Sequence, residues 1–207
     1  MKKRILISLF FIVGLLYLGA LQTSPTPLTD PNWQKISSQG QPLGPWQGPW
    51  ACIFDKRQQL FWETKTDDES IHDGNWTYSW FQNGIGKENH GDCYFEDKRC
   101  DTDDLIRRTN QQQLCGQTQW RLPTQAELLA LKQTQDRPGQ IAITTDYFIH
   151  MKHGDYWSST HHQPLSGIFG HLKHGAVAVN MTDVSAVTLP YRNAAFVILV
   201  SEASSAP

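Results

Sequence analysis

Histidines are the most concentrated chemically active side chains in this chain. Six of the eight fall in one short stretch: His150, His153, His161, His162, His171 and His174. Neutral imidazoles bind zinc, copper and nickel, so this density suggests a metal site. However, Gly154, Gly170 and Gly175 indicate loops, and the His-Glu-x-x-His pattern of helical zinc sites is absent. We therefore predict loop histidines and assign no metal ligand.

The four cysteines form an even set: Cys52, Cys93, Cys100 and Cys115. In an exported chain such a set predicts two disulfide bonds. Three pairings are possible, and we favour Cys93 with Cys100 and Cys52 with Cys115. The first pair closes a short loop, and the second ties the start of the domain to the end of a helix. A four-cysteine zinc site is the alternative, but no Cys-x-x-Cys pair supports it.

No catalytic motif is evident. Ser158, His161 and Asp183 could be combined into a hydrolase triad, but no Gly-x-Ser-x-Gly elbow accompanies them. Neither a Walker loop nor a Gly-x-Gly-x-x-Gly turn occurs. We assign no catalytic residue and expect no cofactor.

The composition is that of one folded domain. Lys and Arg number 18 against 20 Asp and Glu, so the formal net charge is -2. This balance argues against a nucleic-acid partner, which requires a basic surface. The hydrophobic share of 39% and the eight Trp provide enough apolar surface for a core.

The N-terminus resembles an export signal. Lys2, Lys3 and Arg4 precede an apolar run over residues 5–21. The run is near the lower length limit for a bilayer-spanning helix, so it fits a cleaved signal peptide or an uncleaved membrane anchor. In both cases the remainder faces the periplasm or the cell surface, and this segment is the expected membrane contact.

The rest of the chain divides by composition. Residues 22–49 are rich in Pro, Gly, Ser, Thr and Gln and are predicted to be a linker, residues 50–202 a domain, and residues 203–207 a tail. Trp46 and Trp50 can dock on the edge of the domain, because Trp buries a large area when it packs.

The domain is predicted to be α+β. Strand-like runs cover residues 60–62, 76–81, 156–160, 176–180 and 195–200, although a short helix is an alternative for 76–81. One helix is predicted from Thr102, with acidic residues in its first turn, to Leu114 before Gly116. A second follows the capping box of Thr124 and Glu127. Strands on both sides of two helices indicate an antiparallel sheet.

The block Trp120-Arg121-Leu122-Pro123-Thr124 is predicted to have a structural role. Trp120 and Leu122 can fill the core while Arg121 pairs with a carboxylate or a carbonyl. Trp157 lies in a predicted core strand, so its replacement is expected to reduce folding yield.

The order of several short sequence motifs resembles the Lcl C-terminal domain family over most of residues 50–201. These motifs are Trp50-Ala51-Cys52, Leu60-Phe61-Trp62-Glu63-Thr64-Lys65-Thr66-Asp67-Asp68, Trp76-Thr77-Tyr78-Ser79-Trp80, Cys100-Asp101-Thr102, Leu114-Cys115-Gly116, Trp120-Arg121-Leu122-Pro123-Thr124, Asp146-Tyr147-Phe148 and Tyr156-Trp157-Ser158-Ser159. The resemblance implies a loop-rich, disulfide-containing, C-type-lectin-like domain with two helices and a twisted antiparallel sheet. It also implies a relation to formylglycine-generating, sulfatase-modifying enzymes. Those enzymes use a late cysteine pair, whereas this chain has no cysteine after Cys115.

The resemblance and the loop composition together favour an exported, non-catalytic, adhesin-like module that binds a glycan or a protein at the cell surface. The alternatives are a divergent enzyme of the sulfatase-modifying superfamily and a structural envelope protein. Recognition is expected in the irregular segments 84–97 and 154–175, because loops carry function on this kind of scaffold. The candidate ligand-binding residues are Lys87, His90, Tyr94, His161, His162 and His171.

Overall fold

The computed structural model describes residues 30–93, 99–131 and 146–203. The apolar segment 5–21 and the tail beyond residue 203 lie outside these ranges. The described chain is α+β, with three sheets of antiparallel strands and few helices. The strands are β1 Trp33–Ile36, β2 Cys52–Asp55, β3 Leu60–Glu63, β4 Phe81–Gln82, β5 Ile85–Gly86, β6 Asp155–Pro164, β7 His174–Asn180, β8 Ala186–Leu189 and β9 Val200–Glu202. The α-helices are α1 Thr102–Gln112 and α2 Gln125–Ala130.

The first sheet has the order β1-β2-β3-β9. All four residues of β2 and all four of β3 are buried, which explains why these strands show little polar alternation in the sequence. Ile53 lies opposite Trp62, and Trp62 lies opposite Val200. These side chains belong to one of the two hydrophobic clusters, and the clusters together form the core.

Strand β1 corrects the predicted extent of the linker. Residues 33–36 lie inside the segment 22–49, yet they pair with β2, and Trp33 and Ile36 are buried. A four-residue strand in a Pro- and Gln-rich context is too short for its periodicity to be recognised. Trp50 does dock, because its Nε1 donates to the Tyr147 carbonyl oxygen at 2.9 Å. Trp46 does not, since 67% of its surface is exposed.

Strands β6 and β7 contain the predicted runs 156–160 and 176–180, whereas β8 was not predicted. Two other predictions were too regular. Residues 77–79 form isolated bridges, because successive residues pair with different segments: Thr77 with Asp92, Tyr78 with Ala195, and Ser79 with Asp101. Over residues 195–200 only Val200 belongs to a strand, β9. Long-range bridges therefore replace regular ladders in the centre of the domain.

Helix α1 begins at Thr102, as predicted, and the residue before it caps it. The Asp101 carboxylate accepts a hydrogen bond from the Asp104 backbone N–H at 3.0 Å, so Asp101 is the N-cap. Thr102 instead donates its hydroxyl to the Phe81 carbonyl oxygen at 2.7 Å. The helix ends at Gln112, and a short 3₁₀ helix at Leu114–Gly116 follows it. In the described ranges no helix has both the length and the apolar character to cross a membrane.

The predicted capping box of α2 is confirmed. The Thr124 hydroxyl accepts from the Glu127 backbone N–H, and the Glu127 carboxylate accepts from the Thr124 N–H. The Arg121 guanidinium donates two hydrogen bonds of 2.9 Å to the same carboxylate. Trp120 and Leu122 are buried on either side of Arg121, so the Trp-Arg-Leu-Pro-Thr block has the predicted structural role.

Both disulfide bonds join the favoured pairs. Cys52 on β2 is bonded to Cys115 after α1, across a sequence separation of 63 residues. Cys93 is bonded to Cys100 across a separation of 7 residues. Disulfides persist in oxidising compartments, which agrees with an exported protein.

Candidate functional site

Trp80 connects the two segments in which recognition is expected. Its ring is fully buried and contacts the rings of His161, at a centroid distance of 4.8 Å, and Tyr191, at 5.1 Å. Its Nε1 donates to the Ser158 carbonyl oxygen at 2.9 Å, and its backbone N–H donates to the Tyr191 carbonyl oxygen at 2.9 Å. The indole therefore fixes β6 against the chain that follows β8.

The other segment is fixed to the same place through backbone contacts. The Lys87 N–H donates to the Trp80 carbonyl oxygen at 2.9 Å, and the Ser79 hydroxyl donates to the Lys87 carbonyl oxygen at 2.7 Å. The His90 N–H donates to the Ser79 hydroxyl oxygen at 2.9 Å. Gly86, at a φ of 108°, permits this close approach, because a Cβ there would clash with the Trp80 carbonyl oxygen.

These contacts tie both segments to Trp80, and the predicted residues Lys87, His90 and His162 are exposed. We call this region the His161 surface. It comprises Lys87, His90, His161, His162, His174 and Tyr191.

His161 and His162 lie in strand β6 and His174 in β7, so these histidines are not in the predicted loops. An irregularity in β6 shapes the centre of the His161 surface. The pairing register with β7 shifts between His161 and Gln163, and His162 adopts a left-handed backbone with a φ of 61°. The His162 N–H then donates to the Tyr191 hydroxyl at 3.0 Å. The imidazole of His162 stacks on that of His174, with ring centroids 4.2 Å apart and an interplanar angle of 15°.

The other two predicted binding residues do not join this cluster. His171 is exposed in the 3₁₀ segment Gly167–Leu172, and its Nδ1 lies 3.0 Å from the Ile168 carbonyl oxygen, so Nδ1–H donates locally. Tyr94 lies outside the described residues. Tyr191 was missed by sequence reasoning; an aromatic residue next to Pro190, just after a strand-like run, is the one available signal for it.

The described histidines do not meet as a multidentate site. Within residues 30–93, 99–131 and 146–203, no group of three or more His, Cys, Asp or Glu side chains is placed to hold a metal ion. His153 has a different neighbour, since its Nδ1 lies 3.3 Å from the Thr182 hydroxyl.

The most strongly interacting charges lie in the core. The Glu63 carboxylate contacts Lys65 Nζ at 2.9 Å and His72 Nδ1 at 2.7 Å, and its other oxygen accepts from the Leu199 N–H at 3.0 Å. Burial raises the pKa of Glu63, but the Lys65 ammonium and the His72 hydrogen bond outweigh burial and leave that pKa below its ordinary value. At most 10% of each of the three side chains is exposed, so this cluster stabilises the fold and is closed to a substrate.

The Ser158–His161–Asp183 grouping is not a triad. The Ser158 hydroxyl is buried and donates to the Val177 carbonyl oxygen at 2.7 Å. His161 directs Nδ1 to the Ser159 carbonyl oxygen at 3.0 Å. Because both groups are engaged with backbone carbonyls, Ser158 is not an activated nucleophile.

A cleft of about 290 Å³ lies beside β1, at a different place from the His161 surface, and Lys35, Lys56 and Tyr147 are among the residues that line it. Lys35 Nζ lies 3.7 Å from the centre of the Trp50 ring and donates to the Pro45 carbonyl oxygen at 3.3 Å. Burial lowers the pKa of Lys35. Since its ammonium group already has partners, we treat the cleft as the secondary candidate.

The model of the Lcl C-terminal domain matches residues 51–201 of this chain. This protein belongs to the Lcl C-terminal domain family. No curated protein and no solved structure gives a significant match. All six residues of the His161 surface fall within the family match, whereas β1 and much of the Lys35 cleft precede it.

Proposed function

We propose that this member of the Lcl C-terminal domain family is an exported, non-catalytic binding module of adhesin type. Its domain is C-type-lectin-like, and its partner is a glycan or a protein at a cell surface. The two disulfide bonds and the family membership support an extracytoplasmic module.

One observation carries the proposal: Trp80 contacts both segments in which recognition is expected, its carbonyl oxygen the Lys87 N–H and its ring the His161 ring. This surface combines an ammonium group, several imidazoles and a phenol. Such groups donate and accept hydrogen bonds, and rings provide flat apolar area, which suits polar ligands such as sugars. The buried Trp80 beneath it holds His161 and Tyr191 in place by ring contacts.

The enzyme alternative has less support. All four cysteines are in disulfide bonds, so none is available for the thiol chemistry of formylglycine-generating enzymes. Ser158 and Glu63 are buried and already hydrogen-bonded.

A glycan-array experiment tests the proposal. We expect the triple variant Lys87→Ala/His90→Ala/His162→Ala to keep the melting temperature of the unchanged protein and to lose most of its binding. The matched control Gln111→Ala/Gln119→Ala changes exposed side chains on α1 and the following loop and should bind normally.

The variant Lys56→Ala tests whether binding occurs in the Lys35 cleft instead. Loss of binding in this variant alone would move the site to the cleft. If the unchanged protein binds neither glycans nor cell-surface proteins, the binding function is wrong and the structural envelope role becomes the better account.

A further inference from the structure

The turn between β6 and β7 forms a small projection with an apolar end. Its base is marked by the Leu165 N–H, which donates to the Lys173 carbonyl oxygen at 2.9 Å, and by the buried Leu165 side chain. Beyond this pair, residues 166–172 contain no buried residue. We call residues 166–172 the β6–β7 tip.

Ile168 is the most exposed of the large hydrophobic side chains in the described ranges. Its exposed fraction is 82%, against 67% for Trp46 and 41% for Ile85. Phe169 and Leu172 in the same tip are partly exposed. A single exposed apolar side chain is ordinary, but three within one seven-residue projection form a local apolar patch.

Local hydrogen bonds hold the tip without help from the core. The Phe169 N–H donates to the Ser166 carbonyl oxygen at 3.3 Å, and the Lys173 N–H donates to the Gly170 carbonyl oxygen at 3.1 Å. His171 adds its bond to the Ile168 carbonyl oxygen. Ile168 is thus presented on a closed turn, so contact with a partner costs little ordering of the chain.

The hairpin that carries the tip has basic residues and no carboxylate near its turn. No Asp or Glu occurs from residue 156 to residue 182, although the whole chain has a net charge of -2. Lys173 lies at the base of the tip, and β8, which covers β7, has no charged residue. The nearest acidic residue on β6, Asp155, is paired with Asn180 at the opposite end of the hairpin.

We propose that the β6–β7 tip inserts into the interfacial region of an anionic lipid bilayer. Ile168 and Phe169 enter the boundary of the acyl chains, and Lys173 contacts the lipid phosphates. An apolar turn next to a lysine, on a hairpin without carboxylates near the turn, is the arrangement that such a surface attracts.

Two other occupants fit these observations less well. A hydrated anionic polysaccharide would satisfy Lys173 but would leave Ile168 in water. A second copy of the chain would need a far larger apolar area than one tip offers. The inference goes beyond the proposed function, because it gives this domain a membrane contact besides the N-terminal segment and does not depend on the His161 surface.

The test places an environment-sensitive fluorophore on the tip of the full chain. The four native cysteines are in disulfide bonds, so a Ser166→Cys substitution provides the one reactive thiol. The labelled protein is mixed with vesicles of phosphatidylcholine alone or of equal parts phosphatidylcholine and phosphatidylglycerol. Because the label reports its own surroundings, membrane binding by residues 5–21 does not interfere. A Gln111→Cys label on exposed α1 is the matched control.

We expect a blue shift and brighter emission at position 166 with the anionic vesicles only, and no change at position 111. Ile168→Ser should lower the ratio of membrane-inserted to free protein roughly tenfold, because the apolar side chain that enters the bilayer is lost. Lys173→Gln should lower it about fivefold, the loss expected for one cation near an anionic surface.

Three results would overturn the proposal. The first is an unchanged label at position 166 with anionic vesicles. The second is an equal blue shift with soluble dextran sulfate, which would indicate a polyanion as partner. The third is a shift without lipid that grows with protein concentration, which would indicate self-association. None of these results bears on the glycan-array experiment, so the two proposals fail separately.

Discussion

Nδ1 of His72 lies 2.7 Å from the Glu63 carboxylate, inside the core of the domain. Nε2 of the same ring lies 2.8 Å from the side-chain oxygen of Gln112, the last residue of α1. One imidazole thus connects strand β3 to the end of helix α1. The Glu63 cluster therefore helps to position α1 on the first sheet.

Replacing Glu63 by Gln should strongly destabilise the protein. The variant leaves the Lys65 ammonium buried without its counter-charge, and removing one member of a buried ion pair costs about 3 kcal/mol. The free energy of unfolding in urea measures the loss. Glu202→Gln is the control, because its carboxylate pairs with Arg121 but is 73% exposed, and its loss should stay below about 1 kcal/mol. Similar losses in the two variants would contradict the role given to Glu63.

Acid should remove the contribution of Glu63 selectively. The pKa of Glu63 is lower in the folded state than its ordinary value of 4.5, so its stabilisation is complete above that value. It is lost as the pH falls through the folded pKa. The stability gap between the unchanged protein and Glu63→Gln should therefore be constant near neutral pH and close in acid. Unfolding free energies at several pH values measure this gap. A gap that does not narrow in acid would exclude a lowered pKa for Glu63 in the folded state.

Trp157→Ala should cost about 4 kcal/mol, as for other buried aromatic residues. Its ring is fully buried, and its Nε1 donates to the Tyr78 carbonyl oxygen at 2.7 Å. Trp46→Ala removes an equally large side chain from an exposed position and should change stability little. Soluble expression and thermal melting of both variants check this. A stable Trp157→Ala protein that lacks binding would assign Trp157 to the ligand site.

The two disulfide bonds should contribute unequally. Loop closure in the unfolded chain costs more entropy for a longer loop, so removing the bond across 63 residues should cost about 4 kcal/mol, and removing the one across 7 about 2 kcal/mol. The variants are Cys52→Ala/Cys115→Ala and Cys93→Ala/Cys100→Ala, which leave no free thiol. Urea unfolding under non-reducing conditions compares them. Equal losses would mean that chain entropy does not govern their effect.

Helices and turns that depend on residues close in the sequence were easier to predict than strand pairings between distant residues. The α2 capping box depends on Thr124 and Glu127, three residues apart, and was predicted in full. The pairing of β1 with β2 was not, because Trp33 and Ile36 become core residues only once β2 lies beside them.

The candidate site shows the same division. The sequence identified exposed polar residues such as Lys87 and His162, but it did not show that His162 belongs to strand β6. The link between their segments depends on Trp80, His161 and Tyr191, which are distant along the chain and pack only in the folded domain. The role of Trp80 as the support of the surface, and not merely as a strand residue, is visible only there.

Strand β1 also fixes where the chain enters the fold. The Asp30 N–H donates to the Tyr147 hydroxyl at 2.9 Å, so Asp30 is held in the domain, and it lies nine residues after the apolar run that ends at Leu21. Nine residues span at most about 30 Å even when fully extended. If residues 5–21 remain in the bilayer, this short connection holds the domain close to its own membrane. We then expect the domain to contact partners within a few nanometres of that membrane. A chain cleaved after residues 5–21 would not have this distance limit and would be able to reach partners on another cell.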